Sequence, residues 1–130
     1  MATFGKVFNL VRSTWKFDAS TYPELSILGN PVASVPAHAF VLRHILIHQM
    51  KSVGKLAAQC EKADHRVAYA DVPVFQEIVE EMFINTLRLA ERVELSPEGL
   101  LGGVAIQLYS HQDKQLKKTR ARRVRRDGHQ

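Results

Sequence analysis

The stretch His44-Ile45-Leu46-Ile47-His48-Gln49-Met50-Lys51-Ser52-Val53-Gly54-Lys55-Leu56-Ala57-Ala58 decides the fold. Leu42, Ile45, Leu46, Met50, Val53, Leu56, Ala57 and Cys60 recur at steps of three and four residues. That is the period of a helix with one apolar stripe, and the stripe is expected to face the core. His44, His48, Lys51 and Lys55 step by four, three and four along the same segment. They form a second, basic line on one helix, and the rest of the chain has to supply what that line faces.

Working outward, the helix is expected to start at Pro36 or Ala37, where proline in a first turn costs nothing, and to end near Lys62. Gly54 interrupts it at about 1 kcal/mol relative to alanine, which suggests close approach of another helix. On the N-terminal side, Pro23, Gly29, Asn30, Pro31 and Pro36 break the chain between Asp18 and Pro36, predicting a long loop without regular structure. Before it, Phe4, Val7, Phe8, Val11 and Trp15 repeat at helical spacing, so residues 3 to 15 read as a short amphipathic helix.

On the C-terminal side, a polar connector through Asp64-His65-Arg66 and Ala70-Asp71 leads to a second long helix. Asp71 or Val72 precedes it, Pro73 lies in its first turn and it runs to about Val93. Val74, Phe75, Ile78, Val79, Met82, Phe83, Leu87, Ala90 and Val93 make most of its circumference apolar. Burial on two sides follows, as in a bundle completed by another subunit. Ser96-Pro97-Glu98 then gives an N-cap, a first-turn proline and an early acid, opening a third helix that carries Leu100, Leu101, Val104, Ala105 and Leu108. The expected fold is all-α: a bundle of three principal helices plus a short N-terminal helix over residues 1–113, assembled as a homodimer or higher homo-oligomer.

At 130 residues and 45% hydrophobic content, the chain can bury a continuous core without staples. Its single cysteine, Cys60, lies on the apolar stripe and is expected to be a buried structural thiol. No apolar run resembles a signal peptide or reaches the ~20 residues of a membrane span, so the expected setting is cytoplasmic, with no membrane partner. The net charge of +5 is unevenly placed. Lys114, Lys117, Lys118, Arg120, Arg122, Arg123, Arg125 and Arg126 occupy positions 114–126 with no acid among them, and taking these eight from +5 leaves −3 for the remainder. Residues 114–130 therefore read as a flexible basic tail on a mildly acidic body. The tail either contacts the phosphates of nucleic acid or another polyanion, or serves as a solubilising end. It has no aromatic residue for stacking on bases.

Other constellations are weaker. Glu77, Glu80 and Glu81 lie within one helical turn, with Asn85 four residues after Glu81. Such carboxylates could hold Mg²⁺ if another helix supplied more oxygen ligands. His44 and His48 have the spacing of zinc ligands, but Ile45 stands where a metalloprotease motif has glutamate, and hydrogen bonding is the expected role. Gly99, Gly102 and Gly103 lack the preceding strand and following lysine of a phosphate loop.

Val53-Gly54-Lys55-Leu56-Ala57-Ala58, Glu77-Ile78-Val79-Glu80, and Leu87-Arg88-Leu89-Ala90-Glu91-Arg92-Val93 leading to Leu95-Ser96-Pro97-Glu98 carry a resemblance. From Leu46 to Asp64 and from Glu77 to Glu98, about a third of the chain, the sequence resembles the MazG-like all-α nucleoside triphosphate pyrophosphohydrolases. In that family one helix carries Glu-Glu-x-x-Glu and the next Glu-x-x-Asp, and these acids hold Mg²⁺ against a triphosphate. The resemblance implies the helical fold and a nucleotide-related site. At the three glutamate positions this chain has Lys51, Ser52 and Lys55, and a lysine ammonium cannot ligate a metal. The resemblance thus implies a degenerate member without cofactor, with Lys51 and Lys55 neutralising Glu77 and Glu80, that acts by binding a nucleotide or a macromolecule. Two alternatives stay open. One is a divergent pyrophosphohydrolase using Mg²⁺ at Glu77 and Glu80, and the other is a nucleic-acid-associated module acting through the tail.

Overall fold

A computed structural model describes residues 2–29, 35–65 and 72–129. Asn30, Pro31, Arg66, Ala70 and Asp71, on which part of the loop and connector readings rest, lie outside the described residues. Five helices follow in order: α1 (Phe4–Thr14), α2 (Leu25–Leu28), α3 (Val35–Asp64), α4 (Val72–Arg92) and α5 (Pro97–Asp127). The described residues contain no strand, and the fold is an all-α helical bundle. No helix among them is long and apolar enough to cross a membrane. The chain divides into two compact units, Met1–Glu94 and Leu95–Gln130.

In the first unit α3 packs along α4, α1 lies on α4, and α2 touches α3. Phe8, Val41, Ile45 and Leu87 are fully buried, each stabilising the fold by about 1.5–3 kcal/mol. Leu25, Ala37, Val41 and Ile45 form one cluster, with Phe17, Tyr22, Leu28, Phe40 and Leu89 packed against it. Leu25–Leu28 is a single helical turn inside the segment expected to be irregular. Its Leu25 side chain is buried, which gives that turn a place in the core.

Of the apolar stripe that the spacing assigns to the core, Ile45 is buried and Leu42 and Leu56 are half-buried, while the rest is exposed. Leu46, Met50 and Val53 are 50%, 64% and 47% exposed, and Ala57 and Cys60 on the same line are exposed too. The buried line is Ala37, Val41, Ile45 and Ser52, which shares Ile45 with the stripe and lies rotated around the helix from the exposed part. Cys60 is therefore not a core thiol. Gly54 does not mark a close approach either, since a Cβ built there meets nothing within 4 Å. α3 carries two apolar lines that share Ile45, and spacing alone does not say which of them meets α4.

α4 ends as its sequence suggests, at Arg92, followed by Glu94 with φ 61°. That left-handed position is one that glycine or asparagine fills at less cost. In the second unit, the hydroxyl of Ser96 accepts a hydrogen bond from the Gly99 N–H at 3.0 Å and caps α5. The boundary expected after Asp113 falls inside α5, which runs unbroken to Asp127. From Val104 to Asp127 there is no glycine or proline, and Lys, Arg, Gln and Ala favour helix. Lys117 Nζ also reaches Asp113 Oδ2 one turn back, at 2.9 Å.

Candidate functional site

The contacts between α3 and α4 fix their register. Lys55 meets Glu81, Ser52 meets Glu81 and Asn85, and Gln49 meets Thr86. Numbers fall on one helix as they rise on the other, so the two helices are antiparallel. The line His48, Ser52, Lys55 lies against the line Glu81, Asn85, Arg88, each stepping by four and three as one helix face requires. Between them is a cleft of about 240 Å³ lined by Trp15, His48, Lys51, Ser52, Lys55, Glu81, Ile84, Asn85 and Arg88.

Lys55 Nζ stands 3.2 Å from Glu81 Oε2 and 3.4 Å from Oε1. Ser52, buried on α3, can donate to Glu81 Oε2 at 3.3 Å or to the His48 carbonyl at 3.3 Å, and its Oγ accepts from Asn85 Nδ2 at 3.4 Å. Asn85 Oδ1 in turn accepts from Arg88 Nη1 at 3.3 Å. All these contacts sit at the long end of the hydrogen-bond range, so the polar groups are held loosely.

Arg88 is the residue that the sequence reading missed. It is only 5% exposed, and burial pulls its guanidinium down from the usual arginine range, a lowering that Tyr22 partly offsets. The guanidinium lies 4.9 Å from the Trp15 ring and 5.7 Å from the Phe17 ring. Such stacking contributes about 0.5–2 kcal/mol, less than the several kcal/mol needed to bury a charge. The usable signal was the line Glu81-Asn85-Arg88, which sets a basic residue between Leu87 and Leu89 on the same face as the glutamate.

The turn after α1 brings the two rings to Arg88. Asp18 Oδ1 accepts from Ser20 Oγ at 2.6 Å, Ser20 N at 3.1 Å and Thr21 N at 3.0 Å. The Ser20 hydroxyl first, and then the Thr21 N–H, hold its carboxyl below the usual carboxylate range. This turn stacks Phe17 on Tyr22, with ring centres 5.0 Å apart, and sets Tyr22 edge-on to His44 at 4.8 Å. His44 and His48 hydrogen-bond each other, Nε2 to Nε2, at 3.2 Å. Burial first, and then the charge of Arg88, hold both imidazoles below the usual histidine range, toward the neutral form.

The remaining expected residues are elsewhere. Lys51 lines the cleft without meeting a glutamate among the described residues, and the glutamate that meets Lys55 is Glu81 and neither Glu77 nor Glu80. Glu77 lies one turn before Glu81 and is exposed. Glu80 sits a quarter-turn round α4, on an open groove with Val72, Phe75, Gln76 and Val79. Neither makes an ion pair among the described residues. Lys114, Lys117, Lys118, Arg120, Arg122, Arg123, Arg125 and Arg126 are all exposed on α5.

Among the described residues, no three His, Cys, Asp or Glu side chains cluster as metal ligands would. The cleft's donor set is one carboxylate, one hydroxyl, one amide and one imidazole beside three cations, which does not fit Mg²⁺ and its preference for several oxygen ligands. What the arrangement can do is attract an anion. In comparisons with family models, curated proteins and solved structures, the chain matches none of them.

Proposed function

We propose that this is a MazG-like helical protein in which a lysine–glutamate pair has taken the place of the metal site, and that it binds an anionic ligand, such as a nucleotide, without hydrolysing it. The observation that carries this reading is Lys55 Nζ at 3.2 Å from Glu81 Oε2. An ammonium group there supplies positive charge against the carboxylate, as a metal does in the family. It cannot bind and acidify the attacking water, and it fills the coordination site with donors. A ligand raises stability only by binding the folded state, so the wild-type melting temperature is expected to be indifferent to millimolar Mg²⁺. A metal-dependent rise of several degrees that EDTA reverses would sink the proposal.

The proposal extends to assembly as a homodimer or higher homo-oligomer. It is supported by the exposed line Leu46, Met50 and Val53 on α3, by Val79 and Phe83 on α4, and by Leu101, Val104 and Leu108 on α5. Apolar lines of this kind commonly mark protein interfaces. Light scattering at micromolar concentration should return a mass above that of one chain, and a clean monomer removes this part of the reading.

A further inference from the structure

The pairing of Lys55 with Glu81 leaves one group in the cleft unexplained. Arg88 spends Nη1 on Asn85, while its Nε and Nη2 are fully enclosed and meet no acceptor among the described residues. Those two nitrogens form one edge of the guanidinium, with parallel N–H bonds. That edge matches two oxygens of a phosphate or carboxylate. Stacking on the rings of Trp15 and Phe17 offsets the charge only in part and supplies no oxygen acceptor to either N–H. A buried arginine whose fork has no partner among the described residues is costly to keep, which points to an acceptor from outside them.

The surroundings choose the acceptor. Lys51 and Lys55 line the same cleft with Arg88, and the single carboxylate there, Glu81, is already held by Lys55. Lys51 and Arg88 remain to meet further negative charge, with Ser52 and Asn85 beside them as neutral hydrogen-bonding groups. More than one unit of uncompensated positive charge favours a phosphate over a lone carboxylate. At about 240 Å³ the cleft is smaller than the roughly 300–1,000 Å³ that encloses a drug-sized ligand. It has room for a phosphate group, and the rest of any larger ligand lies outside.

We infer that the cleft binds a phosphate group directly and without metal, with Lys51 as the charge at the rim and the enclosed Nε–Nη2 edge of Arg88 as the fork, reached when the side chains over it move aside. This rests on the reading of the cleft as a metal-free binding site and names what it binds. Trp15 is the only tryptophan in the chain and lines this cleft, so an anion arriving at Arg88 changes the indole's surroundings.

The test is a titration of the full-length protein in EDTA at constant ionic strength, with inorganic phosphate in one arm and a nucleoside triphosphate in the other, read by Trp15 fluorescence. A saturable change is expected. Lys51→Gln, at an exposed position, and Arg88→Lys, which keeps the charge and loses the fork, should each weaken binding by roughly tenfold or more. If Arg88→Lys fails to fold, Lys51→Gln alone decides. Tighter binding of the triphosphate assigns the site to a phosphorylated metabolite, and equal binding assigns it to free phosphate; either upholds the site. No saturable change, binding that Lys51→Gln leaves intact, or binding that requires Mg²⁺ overturns it. Mg²⁺-dependent hydrolysis alongside metal-free binding would remove the non-catalytic reading and leave this site standing.

Discussion

Lys51→Glu, Ser52→Glu and Lys55→Glu introduced together are expected to make the protein dependent on Mg²⁺. The change removes the ammonium that meets Glu81 at 3.2 Å and puts three carboxylates on α3 facing that glutamate. One of them stands at position 52, which is only 4% exposed. Without metal, desolvation and like-charge repulsion should cost on the order of 3 kcal/mol. Mg²⁺ at a hundred times its dissociation constant should return about 2.7 kcal/mol, nearly the whole loss. Urea denaturation in EDTA and in Mg²⁺ measures both halves. A triple variant whose stability ignores Mg²⁺ would show that α3 and α4 do not present these positions to one another as described.

Phe8→Ala is expected to lower stability by about 3–5 kcal/mol, the cost of deleting a fully buried aromatic ring. Small domains hold only about 5–15 kcal/mol in all, so much of the protein should be unfolded at modest denaturant concentration. Phe8 has no exposed surface and anchors α1, whose Phe4 meets Phe83 of α4 with ring centres 6.3 Å apart. The effect reaches the cleft, because α1 leads directly into Trp15 and Phe17 beside Arg88. A loss below about 1 kcal/mol, against the range expected for such a ring, would mean that α1 does not pack as described.

Phe8 and Glu81 differ in how far the sequence announced them. Phe8 sits on a clean three-and-four repeat with Phe4 and Val11, and the structure buries it accordingly. The long helices and the Ser96 cap were equally legible, because caps, prolines and periodicity are local signals. Which side of α3 meets α4 was not, since Leu46-Met50-Val53 and Ala37-Val41-Ile45 satisfy the same period on different sides. The choice is made by what α4 and the turn around Leu25 and Tyr22 offer, a contact between segments distant in the chain. Glu81 was in view beside Glu77 and Glu80, yet selecting it needs the antiparallel register of two helices, which is set by tertiary packing. Arg88 was hidden for a related reason: in sequence it is a charge among leucines, and only the fold stacks it on Trp15 and Phe17 with two of its nitrogens left without a described partner. The basic stretch misled in the opposite direction. Its charge density suggested a flexible tail, while its helix-forming composition continues α5 to Asp127.

The central claim is that Lys55 on Glu81 has replaced metal chemistry with binding. Its most direct test is release of pyrophosphate from common nucleoside triphosphates by the wild-type protein in the presence of Mg²⁺. The account predicts none above the rate without protein. Steady Mg²⁺-dependent release that is lost on Glu81→Gln would contradict it, because that carboxylate would then be holding a metal and not a lysine.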